Sequence, residues 1–284
     1  MKKQTLIIIG LFFLIGFIGQ KMACGQANKA PQGAINGLFS ISEDQQVYFS
    51  KGNLQYIGSA KKPYWKFADH QWDIIGNAAG NGDPNIDRDL FSWGTSGFEH
   101  GAVCYQPWST DWNPKNYYAY GGAMYNLNAQ DGTADWGANP ISNGGNVAKQ
   151  WRTLTYREWA YLLHYRKTES GILFAMAQVN GVNGLIILPD DWSRVTFILQ
   201  NKNDDRANYS SNVISLEEWE TIEKKGAVFL PSATWGRGYY WTSSVFFEKE
   251  QARPISIQDG RFMYTGIFLN KNERAWVRLV CPAK

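Results

Sequence analysis

Between residues 76 and 150 the chain follows no regular hydrophobic period. The stretch is rich in Gly, Asn, Asp, Pro and Trp, as in Gly80-Asn81-Gly82-Asp83-Pro84 and Ser142-Asn143-Gly144-Gly145-Asn146, so it reads neither as helices nor as regular strands. A loop region of this length inside a domain is either functional or packed by its own aromatics, here Trp93, Trp108, Trp112 and Trp136. The fold must therefore mount a large irregular layer on a regular scaffold.

That scaffold is legible on both sides of the stretch. Residues 35–56 carry Leu38, Phe39, Ile41, Val47, Tyr48, Phe49, Leu54 and Tyr56 in short β-type runs broken by Ser42-Glu43-Asp44 and Gly52-Asn53, which predicts hairpin-connected strands. Thr155-Tyr156-Arg157-Glu158 and Ser215-Leu216-Glu217-Glu218 are capping boxes, in which the hydroxyl accepts the N3 amide and the Glu returns to the cap amide. They predict amphipathic helices over about 155–166 and 215–225. Trp159, Leu162, Leu163 and Arg166 fall on one face of the first; Leu216, Trp219 and Ile222 fall on one face of the second, which Lys224-Lys225 and Gly226 close. Both helices are expected to pack on sheets. Residues 172–179, 184–188, 228–230, 239–243, 252–258, 261–269 and 275–281 read as strands, and Gly236 and Gly238 as turn residues. The class is α+β, with short, mostly antiparallel sheets and long irregular loops. With no repeat, low-complexity tract or Pro/Ser-rich linker, one domain over residues 34–284, after a short segment at 28–33, is the simplest organisation.

Residues 1–27 read as a signal peptide, with Lys2-Lys3 before a short apolar run at 6–18 and small residues at candidate cleavage points after Gly25 and Ala27. A lipid anchor on Cys24 is the lesser alternative, because Lys21-Met22-Ala23 lacks the aliphatic residue usual in lipoprotein leaders. The product would be exported to the periplasm, the cell surface or the medium, with no transmembrane span in the mature chain. The 284 residues are 44% hydrophobic and 19% charged, which excludes a disordered polymer, and 15% aromatic, more than burial alone needs. Lys2, Lys3 and Lys21 account for the whole formal net charge of +3. The mature chain is thus neutral and lacks the basic excess of a nucleic-acid binder. Cys104 and Cys281 remain after cleavage, either as a disulfide or as two buried small apolar residues.

Nucleophile, dinucleotide and phosphate-loop motifs are absent from the sequence. The paired acids Asp190-Asp191, Asp204-Asp205, Glu217-Glu218 and Asp87/Asp89 read as solvated turns or helix ends. Asn77, Asn81, Asp83, Asn85, Asp87 and Asp89 alternate in a Gly-containing loop that calcium could use. They lack the EF-hand spacing and its twelfth-position Glu, so a solvated loop is the preferred reading. His70, His100 and His164 are isolated from one another. No metal site or catalytic residue is assigned.

Three segments carry a resemblance in order and spacing. Trp151-Arg152-Thr153-Leu154-Thr155-Tyr156-Arg157-Glu158-Trp159-Ala160-Tyr161 is similar to an R-L-P-T-x-x-E-W-E-Y helix entry, Tyr240-Trp241-Thr242-Ser243-Ser244 to a W-E-W-T-S-S strand, and Ala275-Trp276-Val277-Arg278-Leu279-Val280 to a closing G-F-R-L-V strand. Together they resemble the formylglycine-generating-enzyme branch of C-type-lectin-like folds, and within it the secreted bacteroidete proteins related to diversity-generating retroelement targets. The fold hosts both enzymes and binders. The copper-binding cysteine pair and the iron-binding histidine cluster of the enzymes find no counterpart here, nor do the calcium-site motifs of sugar-binding lectins. The resemblance therefore implies no cofactor. It implies a ligand-recognition module for a glycan or surface protein, with contacts at Trp235, Arg237, Tyr239, Glu248, Arg253, Asp259, Arg261 and Tyr264; strand alternation turns about half of these, and also Tyr240 and Trp276, toward the core. A formylglycine-generating oxidoreductase and a structural subunit of a surface assembly or adhesin are the alternatives.

Overall fold

The structure is a computed structural model that describes residues 29–76, 82–97, 103–118, 126–127, 132–193, 197–232, 237–246, 250–258 and 260–283. The leader at 1–27, with Cys24, lies outside the described residues, as do Asn77 and Asn81 of the acidic loop. Strands β1 (Phe39–Ser40) and β2 (Gln46–Phe49) form the expected hairpin. Strand β3 (Leu54–Ile57) does not extend it: it pairs with β4 (Tyr64–Phe67), a strand the sequence reading missed. After the irregular stretch come β5 (Arg152–Thr153) and α1 (Tyr156–Ala160), which runs on as a π-helical turn over Tyr161–Tyr165. Strands β6 (Phe174–Val179), β7 (Val182–Ile187) and β8 (Val213–Ile214) precede α2 (Leu216–Lys224) and β9 (Val228–Pro231). The chain closes through β10 (Arg237–Val245), β11 (Gln251–Gln258), β12 (Arg261–Met263), β13 (Leu269–Asn270) and β14 (Leu279–Pro282). This is a mixed α+β architecture. Both capping boxes are formed, with Thr155 Oγ1 accepting from the Glu158 amide and Ser215 Oγ from the Glu218 amide.

Strand alternation sorts the side chains into three cores. In the sheet ordered β8-β6-β7-β9, Phe174, Met176, Leu185, Ile187, Val228 and Leu230 face a central core that includes Trp159, Leu162 and Leu163 of the first helical run. Their neighbours Ala175, Ala177, Ile186 and Phe229 face the opposite way, against Trp219 and Ile222 of α2. In the sheet ordered β1-β2-β14-β5, Val47, Phe49 and Val280 join the central core, while Tyr48, Leu279 and Cys281 face a third core. Strands buried on both faces lose the apolar–polar alternation and read as continuous apolar runs, which is how the sequence displayed them. Each such side chain removed from water contributes about 2 kcal/mol before entropy is counted.

The third core anchors the irregular stretch. Trp93, Trp136 and Trp151 are buried in it beside Tyr56, Trp65, Phe67 and Phe91, and Trp108 packs on its rim. Trp112 does not take part; it is 81% exposed. Two acids expected as solvated are interior. Asp89 accepts from the amides of Ile75 and Gly76 and from Trp276 Nε1, and burial holds its carboxyl above the usual range. Asp190 receives Arg166 Nη1 at 2.8 Å, the Ser40 amide and hydroxyl, and Gln46 Nε2, and so ties the helical run to β1. Cys104 and Cys281 are buried free thiols. Burial is the main cause that raises both, Cys281 to about 12, and a thiol held protonated is not a nucleophile.

Two strand boundaries also depart from expectation. Residues 261–269 are interrupted, β12 ending at Met263 before β13 resumes at Leu269. Residues 275–281 are regular only from Leu279, because Ala275 and Trp276 make single bridges to Phe91 and Tyr240. Gly238, read as a turn residue, lies within β10. A Cβ there would sit 3.0 Å from the Ser232 Cα and 3.3 Å from the Trp276 ring, so the strand passes too close to its neighbours for a larger residue.

Candidate functional site

The site begins with an irregularity in the closing sheet. Strand β11 contains Pro254, which has no N–H to give to a ladder, and Pro254 is the partner of Trp241. Beyond that pair the register shifts, and β10 advances from Trp241 to Val245 while β11 moves only from Pro254 to Ala252. This β-bulge sets residues 242–244 against Arg253 alone. Its groups are put to use locally. Thr242 Oγ1 donates to the Arg253 carbonyl at 2.6 Å, the Ser243 amide donates to the Leu154 carbonyl, and Ser244 Oγ accepts from the Tyr156 amide at 3.0 Å. The bulge therefore fastens the start of α1 beside Arg253.

The consequence is a row of rings around one cation. The Arg253 guanidinium carbon lies 4.5 Å from the Tyr156 ring centroid and 4.8 Å from that of Phe246. Phe246 stacks on Phe268 at 5.0 Å with an interplanar angle of 24°. On the other side Tyr264 packs against Phe262 and lies 6.0 Å from the His164 ring, which meets Tyr165 edge-on at 4.8 Å. Burial raises the Tyr264 hydroxyl first, and Tyr165, Tyr156 and Asp205 are near enough to oppose its ionisation further. Phe268 is 48% and Tyr165 66% exposed, so the row ends in solvent at both sides. Past Tyr165 it opens on a shallow depression of about 570 Å³ lined by Ser40, Ser42, Glu43, Tyr161 and Lys167.

The eight residues singled out from the sequence divide. Trp235, Glu248 and Asp259 lie outside the described residues. Arg253 and Tyr264 belong to the row. Tyr239 pairs with Ser256 and is half-buried against the third core, on the face of β11 opposite to Arg253. Arg261 is exposed and pairs with Gln258, which the alternation of β11 also puts opposite Arg253; the backbone of Arg237 pairs with the same Gln258. Tyr240 and Trp276 are buried, as expected. Tyr156, His164, Tyr165 and Phe268 were missed. The available signal was the outer face of the first helix, where the spacing that buries Trp159, Leu162 and Leu163 leaves His164 and Tyr165 outside.

Among the described residues no group of three or more His, Cys, Asp or Glu side chains converges on a point where a metal ion could be held. Of the acidic loop, Asp83 caps Asn85, Asp87 accepts from the Ser59 amide and Asp89 is turned inward, so these three carboxylates serve separate partners. No helix among the described residues is long and apolar enough to cross a membrane. What the row offers is non-covalent: ring faces for stacking, tyrosine and histidine polar edges, and a guanidinium. No family model matches the chain, and no curated protein or solved structure matches it.

Proposed function

We propose that the protein is an exported recognition module of the C-type-lectin-like type, in the formylglycine-generating-enzyme branch, that binds a glycan across the row from Phe268 to Tyr165. The observation that carries this reading is the row itself: rings contributed by α1 and its π-helical turn, the residue after β10 and the β12–β13 turn, held by a bulge, with both ends exposed. Sugar rings present C–H faces to aromatics and hydroxyls to polar edges, and Tyr and His supply both. A glycan is favoured over a protein surface because the flanking exposed residues, Arg157, Lys167 and Thr265, are polar; protein hot spots are ringed by contacts that exclude water.

The test is a glycan-array screen of the purified protein beside a Tyr165→Ala/Phe268→Ala variant and an Arg261→Ala variant. The reading expects a specific hit weakened at least tenfold in the first variant and unchanged in the second. A hit that survives the ring variant, or that is lost with Arg261, would remove the row from consideration; an array without hits, with capture of a protein partner through the same rings, would replace the glycan by a protein.

A further inference from the structure

We infer that the glycan carries an anionic group, a carboxylate or a sulfate ester, and that the Arg253 guanidinium reads it. This rests on the glycan reading of the row and adds the chemistry of its ligand. Three other arginines have their donors engaged: Arg152 binds Glu158 through both terminal nitrogens, Arg166 binds Asp190 and three carbonyls, and Arg88 binds the carbonyls of Asp83, Ile86 and Pro107. Arg253 is different. Its guanidinium has ring contacts to Tyr156 and Phe246 and no hydrogen bond or ion pair among the described residues.

An unpaired arginine on a surface is ordinary when its side chain is free to move. Arg253 is not in that condition, since its backbone is pinned by Thr242 Oγ1 and its head is set against two rings. A guanidinium held only by rings has no hydrogen-bond partner to give up, and its fork of N–H groups matches the two oxygens of a carboxylate or two of a sulfate. Because the side chain is already ordered, an anion that binds there does not bear the usual cost of immobilising it. The position is also apt: the cation stands inside the row, so a sugar stacked on Phe268 or Tyr264 brings its substituents to it. With the three leader lysines set aside the chain is formally neutral, so it has no general attraction for polyanions and a preference for an acidic ligand would be local.

Four polysaccharides in two matched pairs separate the sources: polygalacturonate with its methyl ester, and dextran sulfate with dextran. Their affinities are measured for the parent protein, Arg253→Met, Arg253→Lys and the surface control Arg261→Met, each checked by thermal melting. The inference expects an acidic member to bind at least tenfold tighter than its neutral partner, Arg253→Met to erase that difference, Arg253→Lys to restore only part, and Arg261→Met to change nothing. A preference confined to the first pair assigns a uronate, and one confined to the second a sulfate ester. Equal binding within both pairs, or a preference that survives Arg253→Met, overturns the role of Arg253; if such binding still depends on Tyr165 and Phe268, the glycan reading stands without it. Binding to none of the four overturns the inference.

Discussion

Arg166, at the end of the first helical run, and Arg253, opposite the β10 bulge, both lie over aromatic rings, Arg166 over Phe39 at 5.4 Å and Arg253 over Tyr156 at 4.5 Å. Around Arg166 every surrounding group answers a donor: Asp190, and the carbonyls of Leu162, Leu173 and Leu188, leave a side chain with no exposure. Around Arg253 the rings supply position, and nothing among the described residues accepts. A cation whose donors are all consumed holds elements together, whereas one that is placed but not consumed keeps donors that an anion from outside the chain can meet. Arg278 also sits in an interior network, its terminal nitrogens reaching Gln71, Asn53 and the Phe229 carbonyl while its Nε finds no partner among the described residues.

The comparison is broken most forcefully on the interior side. Asp190→Ala leaves Arg166 as a buried charge without its carboxylate and frees the donors of Ser40 and Gln46, so urea denaturation should show a loss of about 3–5 kcal/mol; a loss below about 1 kcal/mol would mean that Arg166 is not structural. Lys271 is next. It is fully buried, donates to the Tyr118 carbonyl and lies over Trp93, and burial lowers its ammonium from the usual lysine value to about 8. Because the folded state releases this proton more readily than the unfolded one, the cost of the buried charge is fully present below pH 8 and disappears as pH rises toward 10.5. Relative to Lys271→Met, the parent protein should therefore gain on the order of 3 kcal/mol of stability across that window. Paired denaturation curves at pH 7.5 and 10 check it, and a difference that does not move with pH contradicts it.

Thr155→Ala removes the cap of α1 and should cost about 1 kcal/mol. Because that cap adjoins Tyr156, glycan affinity should fall a few-fold as well, which links the two halves of the comparison; unchanged binding would show that the helix start does not position the row. The smallest stability effect is expected at Arg253. Changing it to Met should shift the unfolding free energy by no more than about 1 kcal/mol, in keeping with exposed cation–ring contacts. A larger loss would place it with Arg166 as a structural residue.

How much of this was readable beforehand depended on distance along the chain. The capping boxes at Thr155 and Ser215 act within four residues, and both helices were located from them. Strands β6, β7 and β9 announced themselves as apolar runs. The pairing of β2 with β14 brings Phe49 to Val280, and no local pattern encodes such a partner. Strand β4 was hidden because its four residues, Tyr64-Trp65-Lys66-Phe67, follow Lys61-Lys62-Pro63 and gain their meaning only opposite β3. Of the residues proposed as contacts, Arg253 and Tyr264 fall on the row, whereas Tyr239 and Arg261 lie on the other face, because the faces of a bulged sheet cannot be counted from sequence. The rings completing the row on one side come from a helix about ninety positions earlier, and only folding brings Tyr156 and Arg253 together.

The central claim is that the row around Arg253 is the face that meets the ligand, and amide hydrogen exchange with and without polygalacturonate tests it most directly. The account predicts new protection confined to residues 156–165, 244–246, 252–253 and 262–268, and weaker in Arg253→Met. Protection centred instead on residues 109–117 around the exposed Trp112, or on residues 237–241 and 256–261 across the sheet, would contradict it.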